Sequence, residues 1–128
     1  MDGKILLVDD DEAIRKLLTR RLTRAGFDVH TAANGEEGID MAFELRPNLI
    51  LMDMQMPVMN GITAIQTLRE RNYRGLIAML TAMAATIDQE KAAQVGCDYF
   101  ITKPIKADFE KTLDSILKGA SDGQSSSR

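Results

Sequence analysis

The 128-residue sequence has no tryptophan, one cysteine, one histidine and three prolines, and only 5% of it is aromatic. The lone Cys97 excludes an internal disulfide and fits a reducing compartment. Neither Cys97 nor His30 belongs to a cluster that would suggest metal binding or nucleophilic work. No apolar run approaches the ~20 residues of a membrane span. The chain enters an apolar run directly after Met1-Asp2-Gly3, which reads as the lack of a signal peptide. On these absences the chain is expected in the cytoplasm, away from membranes. The formal net charge of −3 argues against nucleic acid as a direct partner, because phosphate backbones require a basic face.

The length fits one domain, which can bury roughly two-thirds of its unfolded surface without staples. Methionine is plentiful, at eight residues, and Met52, Met54, Met56 and Met79 read as adaptable packing. Short apolar runs alternate with helical patterns. The spacing predicts strands over Lys4–Val8, Asp28–Ala32, Asn48–Met52, Leu76–Leu80 and Tyr99–Thr102. The first, third and fourth are almost continuously apolar, as buried parallel strands are. Helices are expected over Asp11–Ala25, after Asn34-Gly35 as far as Pro47, after Gly61, over Thr86–Val95 and after Lys106. Such alternation implies an α/β fold, a doubly wound parallel sheet with helices on both faces. The domain is expected over 1–118. The Ser/Gly-rich segment 119–128 is expected to be a flexible tail or linker.

The chemistry sits at strand ends. Asp9-Asp10 closes the first run, Asp53 the third, Thr81 the fourth, and Lys103-Pro104 follows the fifth. In an open parallel sheet, ligands bind outside the carboxyl ends of the strands. Three acids and one base at one place make a site for a divalent cation and a phosphoryl group. Unneutralised, the acids repel, so at least one carboxyl should have a raised pKa. Asp11 and Glu12 are better read as helix cap and first-turn acids. Each remaining residue alone has an ordinary alternative. Asp53 could bond loop amides, Lys103 could snorkel, and Thr81 could serve a turn.

Taken in order, Val8-Asp9-Asp10, Met52-Asp53, the Met56-Pro57 loop with Gly61, Thr81-Ala82 and Lys103-Pro104 resemble the receiver domain of bacterial two-component response regulators. The resemblance runs from Lys4 to about Lys118. It implies a flavodoxin-like, CheY-like five-stranded sheet of order 2-1-3-4-5. It implies Asp53 as phosphoacceptor from a phosphohistidine of a histidine kinase or histidine phosphotransfer protein. Mg2+ or Mn2+ would be held by Asp9, Asp10, Asp53 and the backbone carbonyl of Gln55, with Asp9 acting mainly through water. Lys103 and Thr81 would bond the phosphoryl group, and amides near Met54 and Ala82 would complete the cradle. The Lys103-Pro104 bond is a candidate cis peptide. Thr81 and Phe100 would switch a surface made of the fourth helix, fifth strand and fifth helix. Phe100 stands where the family commonly has tyrosine. Gln55 and Met83 would tune the lifetime of the phosphate. Output would pass to a downstream protein or a fused domain.

Three rival readings remain. A haloacid-dehalogenase-type aspartyl-phosphate hydrolase would need an acid where Gln55 stands. A nucleotide or flavin module would want glycines where Asp9-Asp10-Asp11 stands. A receiver-like module that works without phosphorylation has no use for the full acidic set.

Overall fold

The structure is a computed structural model that describes residues 1–82 and 86–121. Strands and helices alternate as β1 (Lys4–Val8), α1 (Glu12–Arg24), β2 (Asp28–Ala32), α2 (Gly35–Leu45), β3 (Leu49–Asp53), α3 (Gly61–Glu70), β4 (Leu76–Thr81), α4 (Thr86–Gln94), β5 (Tyr99–Thr102) and α5 (Phe109–Ser121). All pairings are parallel, and the order is β2-β1-β3-β4-β5. The chain therefore reverses its winding between β1 and β3, where α/β folds of this kind place their sites.

Period-two alternation divides the core between two faces. Ile5, Leu7, Leu49, Leu51, Ala78 and Leu80 pack under α1 and α5, against Leu18, Leu22, Phe109 and Leu113. Leu6, Val8, Ile50, Met52, Ile77 and Met79 face the other way, against Ile39 of α2, Ile65 and Leu68 of α3 and Ala92 of α4. Burial on both faces is why these strands carry continuous apolar runs. Gly38 lets α2 lie close to β1, because a Cβ there would come within 2.8 Å of Val8 Cγ2.

The helix starts follow local chemistry. Asp11 caps α1 by accepting from the N–H groups of Ala13 and Ile14, as expected. Asn34 and Asn60 cap α2 and α3 through the N–H groups of Glu37 and Thr63. Gly26 follows α1 with φ of 109°, the left-handed stop that its position implies.

Several boundaries differ from expectation. β3 begins at Leu49, because Asn48 turns its side chain to accept the Lys4 N–H at 2.7 Å. β3 and β4 each run one residue further, so Asp53 pairs with Leu80 and Thr81 with Thr102 inside the ladder. α5 continues through Ser121, so residues 119–121 of the expected tail are helical. The rest of that segment, and Met83, lie outside the described residues.

Candidate functional site

Asp9 is held as if β1 continued. Its N–H donates to the Ala32 carbonyl at 3.1 Å, and its side chain is almost fully buried. Oδ1 accepts the Asp11 N–H at 2.9 Å. Its main-chain carbonyl accepts Nη1 of Arg15 at 2.7 Å. Oδ2 is buried with no hydrogen-bond partner; Lys103 Nζ lies 3.9 Å away. Asp10 is exposed beside it, while Asp11 turns away into the helix cap.

Asp53 closes β3 and is 4% exposed. Its Oδ1 accepts Nζ of Lys103 at 3.0 Å, and its carboxylate also takes the N–H of Gln55. The Met54 amide does not reach the site. It donates to the Leu80 carbonyl at 3.0 Å, because the extended strand claims it for the sheet. Gln55 is exposed at the start of the loop. That loop folds back tightly. Gly61 donates to the Met54 carbonyl at 2.9 Å, and a Cβ on Gly61 would fall 2.5 Å from the Asp53 carbonyl oxygen.

Thr81 is buried at the end of β4, and its Oγ1 donates to Met54 Sδ at 3.3 Å. The Lys103 N–H donates to the Thr81 carbonyl at 2.7 Å, which carries the lysine past the end of β5 towards Asp53. The Lys103-Pro104 bond is cis.

Asp9, Asp10 and Asp53 each offer a carboxylate oxygen, all within 4.8 Å of one another. Burial pushes the Asp9 carboxyl above its ordinary value, and the Asp53 charge adds to that. Burial likewise raises Asp53, against the opposing pull of Lys103. One ammonium thus faces three carboxylates. Hard oxygen donors, a deficit of positive charge and the orphaned Oδ2 of Asp9 together fit a divalent cation such as Mg2+.

The expected acids after β1 and at the end of β3 and the lysine after β5 therefore converge, and Thr81 ends the strand that lies between β3 and β5. Phe100 lies apart on the edge strand β5, opposite Met79 and half-buried against the core under α2, α3 and α4. Tyr99 points to the other face. Cys97 is not part of the site; burial pushes its thiol up to about 11. Sequence reasoning missed Arg15 and the Gln55 amide. The spacing of Arg15, one helical turn beyond the cap, was the available signal. The amide could be found only from the exact end of the strand.

The sequence matches the response regulator receiver domain family over residues 5–114. It is 40% identical over 104 residues to the alkaline phosphatase synthesis transcriptional regulatory protein PhoP of Bacillus subtilis, covering 81% of this chain and 43% of that protein. It is 37% identical over 115 residues to the DNA-binding dual master transcriptional regulator RpaA of Synechocystis, covering 88% of this chain and 47% of that protein. The chain thus spans less than half the length of these relatives. Among solved structures, the chemotaxis protein CheY4 of Vibrio cholerae superposes with a TM-score of 0.81 at 32% identity, covering 92% of this chain and 98% of that one. Sequence, topology and relatives agree: the chain belongs to the response regulator receiver domain family.

Proposed function

We propose that Asp53 is the phosphoacceptor of a two-component relay, and that Asp9, Asp10, Asp53 and the Gln55 carbonyl hold Mg2+ or Mn2+ beside it. The observation that carries this reading is one ammonium 3.0 Å from Asp53 Oδ1 within a cluster of three carboxylates. The dication, when bound, supplies positive charge to the phosphoryl oxygens. The Asp53 carboxylate attacks the phosphorus of a phosphohistidine. An O–P bond forms, the N–P bond breaks, and the imidazole leaves with its electron pair and takes a proton. Lys103 is already in place to follow the charge as it moves from carboxylate to phosphoryl oxygens.

The Thr81 hydroxyl donates to Met54 Sδ, a weak acceptor, and a charged phosphoryl oxygen would be a stronger one. Thr81 and Phe100 lie on the same sheet face, since Met79 pairs with Phe100 two residues before Thr81 pairs with Thr102. A shift of Thr81 would be felt along that face by Phe100 and α4, whose buried side chain among those described is Ala92. Phe100 also borders a groove of about 240 Å³ between β5 and α5, with Lys106 and Phe109. The α4-β5-α5 surface is accordingly the output face in this reading. Gln55 stands at the loop where an attacking water would approach, which suits a residue that tunes phosphate lifetime. Met83 would share that role.

The phosphodonor is a histidine kinase or phosphotransfer protein. Output goes to a downstream protein or a fused domain, as the greater length of the transcriptional regulators above suggests. No described helix is long and apolar enough to cross a membrane, in keeping with a cytoplasmic relay. Chemistry is confined to self-catalysed transfer and dephosphorylation. The hydrolase alternative gains no support, and Gln55 offers it no proton.

The test is incubation with Mg2+ and acetyl phosphate, followed by intact mass. One phosphoryl group should add to the wild type and none to Asp53→Asn. A phosphoryl shift that persists in Asp53→Asn, or never appears in the wild type, defeats the assignment. Amide NMR with beryllofluoride should then move resonances of α4 and β5; a static α4-β5 face would defeat the switch.

A further inference from the structure

Three arginines converge at the opposite end of the sheet. Arg46, from the α2–β3 connection, and Arg71 and Arg74, from the α3–β4 connection, line one cavity of about 450 Å³. Phe43 and Tyr73 line the same cavity, their rings edge to face at 5.5 Å. These connections lead into β3 and β4, whereas Asp53 and Thr81 end those strands. The length of a five-residue strand, about 16 Å, separates the two places.

No carboxylate lines the cavity. Among the described residues, Arg46, Arg71 and Arg74 take part in no ion pair. Arg74 Nη2 donates to Asn72 Oδ1 at 3.1 Å, a neutral partner. Two other arginines do have acids beside them: Arg21 grips Glu110, and Arg69 reaches Asp98. Three arginines around one cavity with no carboxylate in its lining make a local surplus of positive charge in a chain of net charge −3. Burial raises the Tyr73 phenol pKa, opposed by the charges of Arg69 and then Arg46, so the Arg46 charge reaches the cavity wall.

We infer that this cavity binds a phosphate-bearing small molecule, its dianion received by the guanidiniums of Arg46, Arg71 and Arg74. Guanidinium forks match tetrahedral oxyanions in pairs of hydrogen bonds, and a dianion answers the surplus of charge better than one carboxylate does. The volume is that of a small-molecule site, and the concave shape suits a compact ligand. Free phosphate and a phosphate ester share this chemistry.

The test is amide NMR on the whole chain with EDTA present, so that no metal recruits phosphate to Asp53. Inorganic phosphate and AMP are titrated separately. At least one should saturate, with shifts centred on residue 46 and on 71–75. Binding should weaken at least tenfold in Arg46→Gln/Arg74→Gln, and again in the single variant Arg71→Glu. Tighter binding of AMP identifies an ester whose organic part uses the Phe43–Tyr73 wall; equal binding identifies free phosphate. The inference is overturned if neither probe saturates, if shifts lie elsewhere, or if folded variants bind as the wild type does. Saturation by an oligoglutamate peptide alone also overturns it, in favour of a protein partner.

Discussion

Removing one charge from the acidic cluster should make the metal-free protein more stable. Consider Asp9→Asn. Lys103 Nζ lies 3.9 Å from Asp9 Oδ2. At an effective dielectric of about 20, that attraction is about 4 kcal/mol. A carboxylate oxygen of Asp53 lies within 4.8 Å of one of Asp9. The repulsion is then at least about 3.5 kcal/mol on the same scale. The two nearly cancel, and the exposed Asp10 carboxylate, within the same 4.8 Å, tips the sum towards repulsion. What remains is the extra cost of burying a charged rather than a neutral group there, about 1–3 kcal/mol. Asparagine keeps Oδ1 for the Asp11 N–H, so the loop loses nothing.

Asp9→Asn should therefore gain about 1–3 kcal/mol in EDTA, or roughly 4–12 °C in Tm for a domain of this size. Magnesium reverses the order. It stabilises the wild type by about 2.7 kcal/mol at a hundred times its Kd, and the variant far less. The pH dependence follows from the same carboxyls. Asp9 and Asp53 both titrate above their ordinary value of 3.8, so the folded state binds more protons than the unfolded chain between that value and the raised one. Metal-free wild type should thus gain stability from these two groups as pH falls through the raised values, and lose it as pH rises. Asp9→Asn should flatten that slope. Thermal melts in EDTA and in excess MgCl2 across pH decide it. An Asp9→Asn protein no more stable than wild type in EDTA refutes the charge accounting.

Three further outcomes are expected. Glu110→Gln should cost about 1–2 kcal/mol at neutral pH, since Glu110 takes Arg21 Nε at 2.8 Å and Nη2 at 2.7 Å, joining α1 to α5. Because Arg21 holds the Glu110 carboxyl below its ordinary 4.5, that deficit should vanish in denaturant melts as pH falls through the lowered value. Val58→Gly should raise stability by about 1 kcal/mol, because Val58 sits fully exposed at φ of 70°, where a β-branched side chain is strained and touches nothing; an unchanged or lower Tm counts against it. Gly61→Ala should cost about 1–3 kcal/mol and slow phosphorylation by acetyl phosphate, since its Cβ would press on the Asp53 main chain; wild-type stability and rate would show that the loop yields freely.

Much of this molecule was legible before any coordinates. The alternation of strands and helices rests on local signals, namely apolar runs, Asx caps and glycine stops. These act over a few residues, so Lys4–Val8, Asp28–Ala32 and Tyr99–Thr102 appear where the pattern puts them. The chemistry was legible because a parallel sheet brings its strand ends together, and acids, hydroxyl and lysine each sit at such an end. Other features depend on segments distant in the chain. The Met54 amide belongs to Leu80, Oδ2 of Asp9 is stranded, and Arg15 braces the Asp9 carbonyl. The basic cavity joins Arg46 to Arg74 across 28 positions, and nothing in either stretch alone announces it. Hydrogen bonding and charge act through space. Their partners emerge only when folding sets one loop against another, and that placement is a property of the packed chain as a whole.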